Sequence, residues 1–302
     1  MDWISGIQNA INYIEDHLTR EIDYEEVARE SFSSSSHFQR VFSILCGYTL
    51  GEYIRLRRLS LAGTELAVGR GKIIDIAAKY GYDSPDSFTK AFQRFHGIAP
   101  SQARGNGAKL KSFSRLSIKV TLEGGSVMNY RIEEKPEMLL IGYKRRFTGS
   151  PNDKQEQDHN FACETRLEQY ILEGMCREHE TVYQILTNFD ADGYDFYFAY
   201  RFPQWALENF QEIPEEVAQK FEHVPVPAGL YLVCETERCM FPTAKMDDLR
   251  KRVVTEWLPT SGYGLRDAPE IGVIHWPFED GNDAVNNSHY CELWLPIVKK
   301  DA

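Results

Sequence analysis

The chain has 302 residues, is 42% hydrophobic and 26% charged, and carries a formal net charge of −11 from 34 basic and 45 acidic side chains. That length supports two or three separate cores, and no apolar run approaches the ~20 residues of a helical membrane span, so a globular class with no helical span is expected. The acidity is uneven: residues 1–125 hold 16 basic and 14 acidic side chains, residues 126–302 hold 18 and 31. A near-neutral first part with a local basic face is compatible with nucleic acid, at an affinity that falls steeply with salt. The start lacks a basic segment followed by an apolar one, which predicts a cytoplasmic address.

Within the first hundred residues the sequence repeats at an offset of fifty: Ala28, Phe32, Ser34, Phe38, Arg40, Phe42 and Gly47 recur as Ala78, Tyr82, Ser84, Phe88, Lys90, Phe92 and Gly97. In the first copy Asp23 is a helix cap with Glu26 behind it, a turn is expected at Ser31 to Ser33, and a helix from about Ser34 buries Phe38, Val41, Phe42 and Leu45. The same periodicity leaves Ser36, His37, Gln39, Arg40 and Ser43 to face outward. Between the copies, Leu50 to Val68 reads as one helix, basic at Arg55, Arg57 and Arg58. It would span ~28 Å, near the ~34 Å between successive major-groove faces on one side of a duplex. The second copy turns at Gly81, restarts with Ser84 as cap and Pro85 at the first helical position, and buries Phe88, Ala91, Phe92 and Phe95. Asp86, Ser87, Thr89, Lys90 and Arg94 lie off that stripe. Two helix-turn-helix units in one chain predict a reader of double-stranded DNA, against the alternative of a packed helical domain with no nucleic acid.

These residues, with the run Phe92-Gln93-Arg94-Phe95-His96-Gly97-Ile98-Ala99-Pro100-Ser101-Gln102-Ala103-Arg104, resemble the AraC/XylS transcription regulators over about Ile4 to Arg104. The resemblance implies DNA contacts from Ser36, Gln39 and Arg40 on the first recognition helix, and the outward-facing His37 is a candidate beside them. On the second it implies Pro85, Asp86, Thr89 and Lys90, with Arg94, off the buried stripe, as a further candidate; RNA polymerase is a further expected partner. Ser31 stands where the second copy has Gly81, so a left-handed backbone there would cost roughly 1 kcal/mol more.

Domain boundaries are expected at 1–108 for the helical reader, 109–125 for a linker, and 126–302 for the rest. Gly105, Asn106, Gly107, Gly124 and Gly125 punctuate a polar stretch around the linker. Leu116, Ile118, Val120 and Leu122 alternate with polar residues, which reads as a strand. The six cysteines show no close CxxC pair, and buried reduced thiols are expected in place of disulfides or a metal site.

The second part reads as two related halves, so the whole chain is expected to be multidomain, an all-α double helix-turn-helix domain followed by an α+β domain. Pro136 to Tyr143 and Pro227 to Cys234 are apolar strands that follow a proline. Helical patterns come next, over about Lys154 to Met175 and Lys245 to Leu258. Extended runs close each half, ending at Asp195 to Phe202 and Tyr290 to Ile297. Two strand-helix-strand-strand repeats predict an antiparallel sheet with helices on one face. In the last strand, alternation sends Tyr290, Glu292 and Trp294 to one face and Cys291, Leu293, Leu295 and Ile297 to the other. A carboxylate between two aromatic rings suits an aromatic or lipophilic cation. Pairing of Glu292 with Arg201 or another basic residue is the competing reading.

The segment Cys291 to Ile297, with Trp257-Leu258 and Ser261-Gly262-Tyr263, resembles the GyrI-like effector-binding domains over about Met128 to Lys299. That resemblance implies a small-molecule effector in a cleft between the two halves, Glu292 as the acidic pocket residue, and Trp257, Tyr263, Trp276 and Trp294 as candidate walls, to which alternation in the last strand adds Tyr290. Helical spacing from Met246, Leu249 and Val253 alternatively makes Trp257 core. Some members of the family are hydrolases, for which Glu292 with Tyr263 or Tyr290 would do acid–base work. Others serve as protein-interaction modules. No HExxH, GxSxG or phosphate-loop pattern occurs and the histidines are scattered, so no enzyme, cofactor or metal site is expected. The order of domains predicts a one-component, ligand-responsive transcription regulator.

Overall fold

The computed structural model describes residues 3–31, 33–69, 71–105, 107–118, 127–177, 179–201, 219–277 and 279–300. Phe32 of the repeat, residues 119–122 of the expected strand and Phe202 lie outside them. The chain divides into two compact units, residues 1–39 with 48–123, and residues 40–47 with 124–302.

The helical unit contains α1 (Trp3–Asp16), α2 (Tyr24–Glu30), α3 (Ser35–Cys46, continuing into the second unit), α4 (Leu50–Ala67), α5 (Ile73–Lys79) and α6 (Pro85–His96). Asp23 caps α2 by accepting the Glu25 N–H at 2.9 Å. A capping box of Thr49 and Glu52 starts α4. Ser84 caps α6 from the Ser87 N–H at 3.1 Å, with Pro85 behind it and Gly97 left-handed at the end. Ser31, which was expected to strain if left-handed, has φ −96° and carries no such cost. Its hydroxyl donates to the Ala28 carbonyl at 2.8 Å, while the equivalent Gly81 does go left-handed at φ +79°. Leu59, Leu66, Ile76, Tyr80, Phe88 and Phe92 form a buried core between α4, α5 and α6.

Of the basic residues on α4, only Arg55 is exposed. Arg57 is an internal tie: it binds the Glu15 carboxylate and the Phe113 carbonyl, while Arg58 holds the Leu18 and Arg20 carbonyls. Periodicity shows that these arginines are off the apolar stripe but cannot show that backbone carbonyls wait for them. Residues 116–118 are not a strand. The stretch from Lys109 runs along the helices, with Lys111 N–H donating to His96, Phe113 N–H to Ser60 and Leu116 N–H to Tyr53.

The second unit contains β1 (Tyr130–Lys135), β2 (Met138–Thr148), α7 (Gln155–Glu164), α8 (Arg166–Cys176), β3 (Thr181–Thr187), β4 (Gly193–Arg201), β5 (Glu222–Val226) and β6 (Gly229–Glu235). It continues with α9 (Thr243–Arg252), a π-helical turn (Val253–Trp257), β7 (Tyr263–Leu265), β8 (Glu270–His275), α10 (Asp283–Asn286) and β9 (Tyr290–Lys299). Among the described residues nine strands form an antiparallel sheet in the order β1-β6-β9-β8-β3-β4-β2-β5, with β7 beside β9. The halves meet at β8 and β3. They also exchange edges, since β1 pairs with β6 and β5 with β2.

Alternation along each strand divides the sheet into two faces. On one, Ile141, Phe147, Leu186, Phe196 and Phe198 pack under Phe161 and Leu172 of α7 and α8. Met246 of α9 lies against Gly272 on the same face, where a side chain on residue 272 would meet its Cε at 2.9 Å. The other face gathers Leu140, Tyr183, Tyr197, Val226, Tyr231, Ile271 and Trp294 into one buried cluster. That cluster takes residues from every strand between β6 and β5, so the inner face carries one continuous core.

Candidate functional site

In the helical unit, α6 turns Phe88 and Phe92 inward and leaves Pro85, Asp86, Lys90 and Arg94 exposed. Thr89 is half-buried, its hydroxyl donating to the Pro85 carbonyl at 2.7 Å. On α3, Ser36 and His37 are half-buried. The expectation that Gln39, Arg40 and Ser43 face outward is corrected, because all three are buried. Gln39 donates to Ser35 at 3.0 Å, and Arg40, 4% exposed, donates to Glu270 Oε2 at 2.6 Å. Helical spacing identified the stripe these residues avoid, not what covers the remaining surface.

In the second unit the structure sorts the candidate effector residues into three places. Glu292 and Trp294 share the inner face, opposite Val273 and Ile271 of β8, and each is 8% exposed. Trp294 Nε1–H donates to Glu292 Oε2 at 2.6 Å, and Arg131 donates to Oε1 at 2.6 Å. The basic partner is thus Arg131 of β1. Arg131 also binds Glu133 and Glu235, and these carboxylates hold its guanidinium still more firmly protonated than usual against the opposing effect of burial. Lys135, two pleats along β1, lies with Nζ 4.1 Å above the Trp294 ring and also pairs with Glu133. The arrangement is an acidic end, an aromatic plate and two cations supplied by the chain itself. Arg131 and Lys135 were missed in sequence because β1 reads as a polar edge; its alternation Arg131, Glu133, Lys135 was the available signal.

Tyr290 continues the inner face, stacked on His275 at 4.3 Å with Arg238 4.1 Å above it. Burial pushes the His275 imidazole pKa below its ordinary value, against the opposing pull of Glu292 and Glu235. Trp257 and Tyr263 are elsewhere. They stack on one another at 5.8 Å, and Trp257 also meets Tyr130, whose register with Cys234 sets it on the helix-bearing face. The core reading of Trp257 therefore describes its surroundings, and a Glu292–Tyr263 acid–base pair is not assembled. Trp276 is also on the helix side, edge-on to His289 at 4.8 Å, and lines a cavity of ≈ 460 Å³ between α7 and α9. Glu292, Trp294 and Tyr290 do not line that cavity.

Comparison with known proteins gives two family matches: a helix-turn-helix domain over residues 27–106, and the integron-associated effector binding protein family over residues 131–297. The chain is 42% identical to the HTH-type transcriptional activator AarP of Providencia stuartii over 100 residues, which are 33% of this chain and 74% of AarP. It is 40% identical to the regulatory protein SoxS of Salmonella typhimurium over 98 residues, 32% of this chain and 92% of SoxS. With the right origin-binding protein of Escherichia coli K12 it shares 35% identity over 170 residues, 56% of each chain. The chain thus spans little more than half the length of that longer relative. Among the described residues no helix is long and apolar enough to cross a membrane, and no group of three or more histidine, cysteine or acidic side chains is placed to hold a metal.

Proposed function

Because the chain belongs to the integron-associated effector-binding family, with an AraC-type helix-turn-helix regulator domain ahead of it, we propose that it is a one-component transcription regulator whose second unit senses a lipophilic or aromatic cation. The observation that carries the cation reading is Lys135 Nζ at 4.1 Å over Trp294, whose own N–H is bound to Glu292. The inner face already holds an ammonium as it would hold a ligand's positive group, against a π-face with a carboxylate behind it. A cationic effector displaces Lys135 and takes over the aromatic plate, and the carboxylate makes neutral molecules of the same shape poor substitutes. Double-stranded DNA is read by α6 and the start of α3. Lys90 and Arg94 make the phosphate contacts that α6 exposes, and Ser36, His37, Pro85 and Thr89 complete the surface. Asp86 repels phosphate and acts in register, not affinity. Gln39 and Arg40 are weaker candidates in this conformation because they are buried.

The experiment is selection of a duplex site from a random library, followed by affinity measurements with and without tetraphenylphosphonium. The expected result is a selected site whose affinity or footprint changes with the cation in the wild type but not in Glu292→Gln. A site that forms normally and ignores the cation in both proteins refutes the sensing half of the proposal. Failure to select any site refutes the DNA half.

A further inference from the structure

The cavity on the helix-bearing face is lined by none of Glu292, Trp294 and Tyr290. Its floor is Val182 and Gln184 of β3 with Ile274 of β8, its walls are α7 and α9, and its volume of ≈ 460 Å³ is within the roughly 300–1,000 Å³ of ordinary small-molecule sites. Elsewhere this layer is apolar, with Phe147, Leu186 and Phe196 filling the space under the helices. Here it is polar and buried. Lys154 is 4% exposed, the only lysine that buried among the described residues, and Gln184 is 2% exposed. Keeping an ammonium out of water is costly unless its donors are used. Lys154 Nζ reaches Gln184 Oε1 at 2.9 Å and Asp158 Oδ2 at 3.3 Å, with the Phe196 ring 4.6 Å away. Two of its three N–H groups are thereby used. Gln184 also donates to Asp158 Oδ2 at 3.1 Å, so these bonds fall on one oxygen of that carboxylate and leave Oδ1 to accept.

We infer that this cleft is a second ligand site, separate from the Glu292 face, and that it takes a neutral planar heteroaromatic molecule with a hydrogen-bond donor and acceptor side by side on one edge. Neutrality follows from the charges around the cavity. Lys154 is balanced by Asp158, and the Asp247 carboxylate is balanced by Arg250 at 2.7 Å. A net ligand charge of either sign would therefore find no unbalanced partner in these two pairs. Planarity follows from the aromatic lining of Phe198 and Trp276. The donor–acceptor edge matches the third N–H of Lys154 and Oδ1 of Asp158, one helical turn apart on the same wall. The Glu292 face differs in each respect, with its excess carboxylate and its occupying cations.

The probe is 2-quinolinone, a neutral bicyclic lactam with adjacent N–H and C=O groups, titrated into the full chain by equilibrium dialysis. Saturable binding is expected in the wild type and in Glu292→Gln, without competition from tetraphenylphosphonium. Ala244→Phe places a ring at the exposed mouth of the cavity without touching packed core, and should abolish binding. Lys154→Met should weaken it by about 10-fold, the worth of one hydrogen bond to a charged donor. Absence of saturable binding overturns the inference, as does binding that survives Ala244→Phe. Binding lost in Glu292→Gln would place the probe on the inner face and overturn it as well. If Lys154→Met fails to fold, Ala244→Phe with the competition experiment still decides.

Discussion

Lys135 is the residue through which the effector proposal is most open to test, because it occupies the position assigned to the ligand's charge. Its ammonium is shared between the Trp294 ring, 4.1 Å away, and Glu133. Any cationic effector must first displace it, so Lys135→Met, which keeps the length and removes the charge, should tighten binding of tetraphenylphosphonium by roughly 10-fold. A titration that shows weaker binding would make Lys135 part of the ligand contact instead of its rival. The cysteines give a second test at this scale. Burial pushes the Cys46, Cys234 and Cys291 thiols up to about 12, whereas Cys163 is exposed on α7. Iodoacetamide at pH 8 should label Cys163 in the native protein within minutes and leave those three until the chain is unfolded; early labelling of Cys291 would contradict the buried face assigned to it. At this scale the sequence was informative about direction and silent about partners. Alternation in β9 set Glu292 and Trp294 together, yet Arg131 is 161 positions away and no local pattern joins them.

Among the elements, α4 and α6 meet closely where Gly63 faces His96. A side chain on residue 63 would lie 2.6 Å from His96 Cε1, and the ring is backed by Phe92 and Phe95 at 4.1 and 4.6 Å. Gly63→Ala should therefore cost about 1–3 kcal/mol, read as a lowered unfolding midpoint; an unchanged midpoint would mean that the ring moves aside freely. His96 also joins α4 to the stretch after α6. Its Nε2–H donates to the Leu59 carbonyl at 3.0 Å, and Nδ1 accepts from the Lys111 N–H at 3.2 Å. Burial holds its pKa below the ordinary 6.5, so the folded ring resists a proton that the unfolded chain accepts. Stability is then complete above about pH 6.5 and declines as pH falls below it, with His275, depressed for the same reason, adding to the trend. The melting temperature should be level from pH 8 to 7 and fall from 6.5 to 5; a level profile throughout would exclude buried neutral histidines.

The helix ends of this unit were legible because caps are local, as at Ser84 and Gly97. The course of residues 109–118 was not. Their backbone groups bond to side chains on α4 and α6, and alternating apolar residues look alike whether the partner is a strand or a helix.

At the scale of the molecule, one chain carries a near-neutral stretch over residues 1–125 and an acidic one over residues 126–302. The helix-turn-helix repeat was legible from its fifty-residue offset, and the strand-helix-strand-strand halves from their order of elements. The exchange of β1 and β5 between those halves was not, since strands paired at such long sequence separations leave no local signature. The near-neutral first part and the exposed cations on α6 predict DNA binding that weakens steeply with salt. Lys90→Ala and Arg94→Ala should each lower the slope of log affinity against log salt by about 1. A slope unchanged in both would remove α6 from the DNA surface.

The most direct test of the central claim is intrinsic tryptophan fluorescence during titration with tetraphenylphosphonium, run in parallel on the wild type, Glu292→Gln and Lys135→Met. Saturable quenching is expected, weakened by about 10-fold or more without the carboxylate and strengthened without the competing ammonium. Equal affinity in all three proteins, or no response in any, would contradict a cation site on the inner face of the sheet.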